Sequence, residues 1–288
     1  MKAACLFLCA VAAHAQLLTL TKDQMVKLTA KNPFERFADG RPKVPDSALQ
    51  KIKDLSAEDV WAVLPGKGFP NHFAGEFNIT QPGTKLVGRV VTAQFMPVRG
   101  DLNEIIAAEG KQKSYAGGQN QWVIDQLQPG DVLVVDMFGK HEYGTFVGDN
   151  LAYYIMKKTG TGLVVDGSVR DLDGIATAKV PVYYRHSHPT PIRDVMLTGF
   201  NVPVNIGGIT VMPGDVLLGD REGISIIPPQ LVDDVIKKGE DTRIHDVWTK
   251  KKFDEGKYKS SDIYGSPRDP GLKAEYEEYR KNELSKIK

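Results

Sequence analysis

Residues 148–171 read GDNLAYYIMKKTGTGLVVDGSVRD, and this stretch decides how the chain is expected to fold. Gly148 is typical of a tight turn that opens a helix, and Gly160 is typical of the residue that ends one. The apolar run that follows predicts a short buried strand, which leads into Arg170 and Asp171. A helix followed by a buried strand indicates an α/β fold in which both ends of this stretch lie at one end of a sheet.

Two carboxylates and one guanidinium are expected at that end of the sheet. Arg170 follows Asp149 by 21 positions and directly precedes Asp171. Arg170 offers a planar fork for a carboxylate or an enolate oxygen, and Asp171 offers the hard oxygen ligands that Mg²⁺ accepts together with water. The first amides of the helix, from Gly148 to Leu151, suit an anion. This set predicts a site for a small acidic substrate on a divalent metal; a plain helix cap and a surface ion pair are the structural alternative.

Residues 1–15 are typical of a cleaved export signal. Lys2 is the only charged residue before Lys22, Ala3 to Ala13 forms an apolar run, and Ala13 to Ala15 is an A-x-A cleavage site. An ordinary N-terminal helix is the alternative. The run is shorter than the roughly 20 residues that a membrane-spanning helix needs. We therefore expect an exported protein, periplasmic or secreted, with no membrane association after cleavage.

Cysteine content and charge exclude several classes of function. Both cysteines, Cys5 and Cys9, lie inside the signal, so the mature chain would contain no disulfide, thiolate metal site or cysteine nucleophile. The chain has 37 basic and 36 acidic residues and no long basic run. Nucleic acid is therefore not an expected partner.

Changes in composition along the chain predict four segments. Pro97 to Gly118 is polar and contains glycine, which predicts a loop with a short helix in the position of a lid. The charged segment after Phe253 predicts an arm that wraps the surface or contacts another subunit. The predicted segments are a signal peptide at 1–15, a helical N-terminal extension at 16–75, a catalytic core at 76–230, and a C-terminal helix and arm at 231–288.

One internal repeat is visible in the core. Pro129 to Asp136 and Pro213 to Asp220 each begin with Pro-Gly-Asp and continue as an apolar run that ends in Asp. Each half predicts a turn that leads into a strand. We favour two similar turns in one sheet system over an old duplication.

Several motifs, taken in their order along the chain, resemble the RraA-like family, which includes the 4-hydroxy-4-methyl-2-oxoglutarate aldolases. The resemblance runs from about Leu49 to Val235 and is more specific to the family than to one reaction. The motifs are Pro82 to Arg89, Gly148 to Leu151, Leu163 to Asp171, Val202 to Val204, and Pro213 to Val216.

The resemblance implies a compact α/β domain with swivelling β/β/α character, assembled as a homotrimer or homohexamer with active sites near subunit contacts. It implies that Arg170 contacts the keto oxygen and the enolate formed from it, and that Asp171 ligates Mg²⁺ or Mn²⁺ partly through water. Asp149 would help to relay a proton. The substrate-binding residues implied are Gly148, Asp149, Asn150, Leu151 and Arg170.

The implied reaction is metal-dependent cleavage of a carbon–carbon bond in a small 2-keto acid, by retro-aldol cleavage or by decarboxylation of the oxaloacetate type. Both reactions pass through a pyruvate enolate, whose charge the metal and Arg170 would stabilise. The alternative is a secreted, non-catalytic binding or regulatory protein of the same fold. A quinone methyltransferase is not expected because no glycine-rich nucleotide loop follows a first strand.

Two departures from the family pattern concern further site residues. His186 and His188 are two positions apart, so on a strand they would share a face and could bind metal or a substrate acid; exposed loop histidines are the alternative. Some aldolases of the family use an acidic residue lent by a neighbouring subunit. The candidates for that residue here are Asp246, Asp254 and Glu255.

Overall fold

The computed structural model describes residues 18–287, so the predicted export signal lies outside the described residues. The helices are α1 (Lys22–Leu28), α2 (Asp46–Ile52), α3 (Ala57–Trp61), α4 (Gly100–Gln112), α5 (Gln119–Ile124), α6 (Asp149–Thr159), α7 (Leu172–Thr177), α8 (Val232–Asp254), α9 (Ser260–Ile263) and α10 (Pro270–Ile287). The strands are β1 (Phe73–Ala74), β2 (Asn78–Ile79), β3 (Leu86–Pro97), β4 (Asp131–Asp136), β5 (Leu163–Val169), β6 (Val182–Ser187), β7 (Val195–Phe200), β8 (Val204–Ile206), β9 (Ile209–Val211), β10 (Val216–Gly219) and β11 (Ile224–Ile227).

In the described part of the chain, one nine-stranded mixed sheet organises the fold. Eight of its strands follow the order β1-β11-β10-β3-β4-β5-β6-β2, and the ninth, β7, pairs with β3 outside this order. The long strand β3 pairs with β4 along one edge. Along the other edge it pairs first with β10 and then with β7. The hairpin of β8 and β9 forms a separate two-stranded sheet.

Strands β3 to β6 run parallel, so their carboxyl ends lie at the same end of the sheet. Helix α6 connects β4 to β5 and helix α7 connects β5 to β6, as in βαβ units. The predicted α/β class is confirmed. This arrangement places the starts of α6 and α7 beside the carboxyl end of β5.

The sheet is buried on both faces at its centre. Along β4, Leu133 and Val135 pack in the core on the helix-covered face. Val132 and Val134 pack on the opposite face, together with residues of β9 and β10. Alternation of side chains along a strand explains why a continuous apolar run serves both faces.

The N-terminal lead-in, which is the described part of the extension predicted at residues 16–75, packs tightly onto this core. Residues of α2 and α3, among them Ile52 and Val60, form one buried cluster with Val216 of β10 and Val235 of α8. The predicted boundaries between signal, extension, core and arm stay predictions.

The segment Pro97–Gly118, predicted as a loop with a short helix, contains α4, which is longer than expected at 13 residues. Ile106 is buried in the core, and the ring of Trp122 lies directly against Gly110. The glycine that suggested a loop instead allows this close packing.

The C-terminal arm packs back against α8 of the same chain. Trp248, Ile263 and Leu272 form a small buried cluster, and Arg280 pairs with Asp241 at 2.8 Å. A subunit contact by this arm stays a prediction. Between residues 18 and 287, no helix combines the length and the apolar character that crossing a membrane requires.

Candidate functional site

The candidate site lies where α6 and α7 begin, beside the carboxyl end of β5. The loop between β4 and α6 runs along that strand end. The Phe146 amide donates to the Ser168 carbonyl at 2.9 Å, and the Arg170 amide donates to the Val147 carbonyl at 3.0 Å. These bonds bring Gly148 next to Arg170 in space.

Two glycines let the beginnings of α6 and α7 pack against each other. The Asp171 carboxylate lies against Gly148, in the space that a β-carbon would fill. Asp149 lies in the same way against Gly174, where a β-carbon would be 2.6 Å from Oδ2. The structure therefore brings Asp149, Arg170 and Asp171 together, as the sequence predicts, while their roles stay predictions.

Arg170 and Asp171 form a loose, partly exposed pair. Arg170 Nε lies 3.6 Å from Asp171 Oδ2, too far for a good hydrogen bond, and the two side chains are 37% and 42% exposed. Asp171 has a φ of 57°, an uncommon left-handed conformation for a residue with a side chain, and it caps no amide of α7. Strained backbone of this kind is enriched at functional sites. Both side chains can therefore reach a ligand.

The start of α6 has no side-chain cap. Its N-cap is Gly148, which has no side chain to bond the first amides. Asp149 Oδ1 accepts from the Asn150 amide at 2.7 Å instead. A helix start without a side-chain cap leaves outward-facing amides and a positive dipole end, which favour an anion.

The donor set at this site fits Mg²⁺ or Mn²⁺ and does not fit zinc. Among residues 18–287, no group of three or more His, Cys, Asp and Glu side chains is arranged to hold a metal. A structural or catalytic zinc site needs three or four such ligands. Mg²⁺ is commonly held by one or two carboxylates and several waters. Asp171 is a carboxylate that could serve in this way, and Asp149 lies on the adjoining helix start.

Asp166, in the same motif, has a structural role on the other side of the strand. It accepts from Arg185 Nε at 2.8 Å and from the Gly207 amide at 2.7 Å. Arg185 also donates to the Gly75 carbonyl at 2.6 Å and stacks on Phe77. Sequence reasoning missed this arrangement because its partners come from four distant parts of the chain.

The two predicted histidines have different partners. The ring of His186 lies 5.5 Å from that of His141, and the ring of His188 lies 5.2 Å from that of Tyr143. His188 Nδ1 also lies 2.9 Å from the Thr190 hydroxyl. The structure therefore does not bring His186 and His188 to one metal centre.

The proposed lent acids lie on or directly after α8. Glu255 pairs with Lys252 at 2.9 Å, and Asp246 lies 3.8 Å from the His245 ring. Asp254 is the last residue of the helix. Their use by a neighbouring subunit stays a prediction.

The part of the chain that contains this site matches a known protein family. Residues 67–226, more than half of the chain, match the family described as RraA-like: Aldolase/RraA. The chain belongs to the RraA-like family. The matched region includes the whole of the candidate site, from Gly148 to Gly174, and the strands that position it.

Individual proteins are similar to parts of this chain. A Halalkalibacterium halodurans protein is 26% identical over 148 residues, covering 50% of this chain and 70% of its own length. An Azotobacter vinelandii protein is 37% identical over 115 residues, covering 39% and 70%. Both are provisionally named 4-hydroxy-4-methyl-2-oxoglutarate aldolase.

A solved structure supports the fold. Streptomyces coelicolor RraAS2, described as an unusual member of the RNase ES inhibitor RraA protein family, superposes with a TM-score of 0.61 and 25% identity. The superposition covers 76% of this chain and 99% of RraAS2. The resemblance inferred from the motifs is therefore confirmed.

Proposed function

We propose that this RraA-like protein is a divalent-metal-dependent lyase that cleaves a carbon–carbon bond of a small 2-keto acid through a pyruvate enolate. The observation that carries the proposal is the placement of the Asp171 carboxylate against Gly148, beside the half-exposed guanidinium of Arg170. The names of the aldolase relatives support the reaction class.

The start of α6 and Arg170 bind the reacting end of the substrate in this proposal. The substrate carboxylate accepts hydrogen bonds from first-turn amides of α6, where the helix dipole is positive. The Arg170 guanidinium donates to the keto oxygen. When the carbon–carbon bond breaks, its electron pair moves toward that oxygen, and the bond from Arg170 strengthens as negative charge develops.

In this proposal Asp171 would bind the metal, and Asp149 relays a proton. Bound through Asp171 and water, Mg²⁺ or Mn²⁺ would supply further positive charge at the keto oxygen. The Asp149 carboxylate is fixed by its contact with Gly174 and by the Asn150 amide. From there it relays, through water, the proton that converts the enolate to pyruvate.

We also propose where the enzyme is located, how it assembles and what it binds. The export motif at residues 1–15 supports a periplasmic or secreted protein, and the family resemblance supports a homotrimer or homohexamer. The partner in this setting is a small 2-keto acid, with neither nucleic acid nor membrane involved.

A non-catalytic binding protein is the second candidate. It is favoured by the description of RraAS2 as belonging to an inhibitor family. The two candidates differ in one measurable property, which is turnover of a keto acid.

The deciding experiment measures pyruvate release from oxaloacetate and from 4-hydroxy-4-methyl-2-oxoglutarate, with Mg²⁺ and with EDTA. We expect release above the spontaneous rate only with metal. Asp171→Asn should lower kcat/KM by about 100-fold or more, because the main metal ligand is lost. Arg170→Met should have a similar effect through loss of enolate stabilisation.

Asp173→Asn is the matched control, because Asp173 is an exposed carboxylate in the first turn of the same short helix. It should retain kcat/KM within about twofold. Turnover that survives EDTA, or equal loss in the Asp171 and Asp173 variants, would reject the assignment of Asp171. Binding of pyruvate without turnover of either substrate would favour the binding protein.

A further inference from the structure

A second cavity, far from the candidate site along the chain, contains two buried titratable side chains. Its volume is about 240 Å³, and it lies between the end of α1 and the turn that precedes β10. His72 and Asp215 line it, and they are 3% and 5% exposed. The proposed lyase mechanism uses neither residue.

His72 presents an unpaired nitrogen. Its Nδ1 lies 3.0 Å from the Phe69 carbonyl, which can only accept, so Nδ1 carries the hydrogen of that bond. In the neutral ring Nε2 is then an acceptor. Nε2 is buried and has no hydrogen-bond partner among the described residues. A buried acceptor without a partner is uncommon, and His72 lines the cavity.

The Asp215 carboxylate has no cationic side chain beside it among the described residues that line the cavity. Its Oδ2 accepts from the Met212 amide at 2.9 Å. None of the residues that line the cavity in the described part of the chain is Lys or Arg. Burial without a counter-charge raises the pKa of Asp215 to about 7.

A similar buried carboxylate at the other Pro-Gly-Asp turn of this chain is paired with a cation. Asp131 begins β4 after the same Pro-Gly-Asp turn, and it also accepts from an amide three residues earlier, that of Gln128 at 2.8 Å. There the buried guanidinium of Arg41 completes the site, with Nη1 at 2.7 Å and Nη2 at 3.2 Å from the carboxylate oxygens. Among residues 18–287 no Lys or Arg pairs with Asp215, which instead lines the cavity.

We propose that this cavity binds a small organic cation, a primary alkylammonium group, at the Asp215 carboxylate, with His72 on the cavity wall. The ammonium group has three donors and no acceptor, which matches a site whose two titratable groups accept. Apolar side chains on the walls, among them Leu28, Phe69 and Ile226, suit a short alkyl chain. An anionic keto acid would be repelled by Asp215, so this is a different ligand from the proposed substrate.

The test is an NMR titration of the full chain with n-butylammonium at pH 8, following the Met212 amide and the His72 ring. We expect saturable shifts at both. n-Butanol, with the same alkyl chain and no charge, should bind at least about tenfold more weakly, and n-butyrate should not bind. Equal binding of n-butanol would show an apolar cavity without cation recognition, and an absence of saturable shifts would show that the cavity holds water only. Either result would overturn the proposal.

Two variants sharpen the result. Asp215→Asn keeps the shape of the side chain and should weaken n-butylammonium binding by about tenfold or more. Asp125→Asn changes an exposed carboxylate and should leave the affinity unchanged within about twofold. Unchanged affinity in Asp215→Asn would overturn the assignment even if n-butylammonium binds.

Discussion

The two Pro-Gly-Asp turns lie on opposite edges of β3 and differ in what completes them. The first leads into β4 and the second into β10, and both strands pair with β3 at Arg89. Gly130 and Gly214 have φ values of 79° and 86°, so the local backbone is alike. Asp131 and Asp215 each accept from an amide three residues earlier.

The difference arises from two adjacent residues of the N-terminal lead-in. Arg41 pairs with Asp131, while Pro42 packs its ring against Gly214. Identical turns therefore have different electrostatics, because a cation reaches one and an apolar ring reaches the other. Local sequence therefore specifies the turn, and the lead-in specifies its chemistry.

The largest expected effect comes from removing the cation at the first turn. Arg41→Met should lower the free energy of unfolding by about 3–5 kcal/mol, because Asp131 is fully buried and would be left without a counter-charge. Urea denaturation at pH 7 measures this loss.

Arg99→Met is the matched control, since Arg99 pairs with Asp101 on the surface, where both side chains are more than half exposed. Its expected cost is below about 1 kcal/mol. A similar small loss in Arg41→Met would mean that the two turns do not differ in their need for a cation.

The second expected effect is a pH dependence at the other turn. Between the ordinary pKa of 3.8 and the raised value of about 7, folded Asp215 holds a proton that the unfolded chain has released. The contribution of Asp215 to the free energy of unfolding therefore falls as pH rises through this range. Asp215→Asn cannot titrate, so its advantage over wild type should grow from pH 4 to pH 8 and reach about 2–4 kcal/mol.

Paired urea denaturation series across that pH range measure the growing difference. His72 lines the same cavity, and it is present in both proteins. A difference between wild type and Asp215→Asn that does not change with pH would show that Asp215 is not the titrating group. Asp125→Asn, which alters an exposed carboxylate, provides the control.

The same contrast explains how much the sequence could predict. The convergence of Asp149, Arg170 and Asp171 was predictable because one helix and one strand separate them, and Gly148 and Gly160 mark the turns. Such signals are local and follow the period of the secondary structure.

Contacts between distant segments were not predictable in this way. Arg41 lies 90 positions before Asp131, and no local pattern links them. Helix α4 is longer than the short helix predicted there, because Gly110, which favours a loop, instead packs against Trp122. The ring contact between His141 and His186 likewise joins two segments that are distant in the sequence.

The smallest expected effect tests the contact of Pro42 with the second turn. Gly214→Ala places a side chain at a left-handed φ and against the Pro42 ring, whose Cγ would lie 2.8 Å from the new β-carbon. Gly208→Ala is matched in backbone, with a φ of 88°, but nothing lies within 4 Å of its β-carbon. Both variants should lose about 1 kcal/mol from backbone strain, and Gly214→Ala should lose about 1 kcal/mol more from overpacking.

Urea denaturation of the two alanine variants measures that difference directly. Because the backbone strain is shared, any excess loss in Gly214→Ala reports the rigid contact between the lead-in and the turn. Equal losses would mean that Pro42 moves aside at no cost. In that case the lead-in would affect the chemistry of the turns only through Arg41, which pairs with Asp131. Asp215 would then lack a counter-charge simply because none of the described residues that line its cavity is a cation.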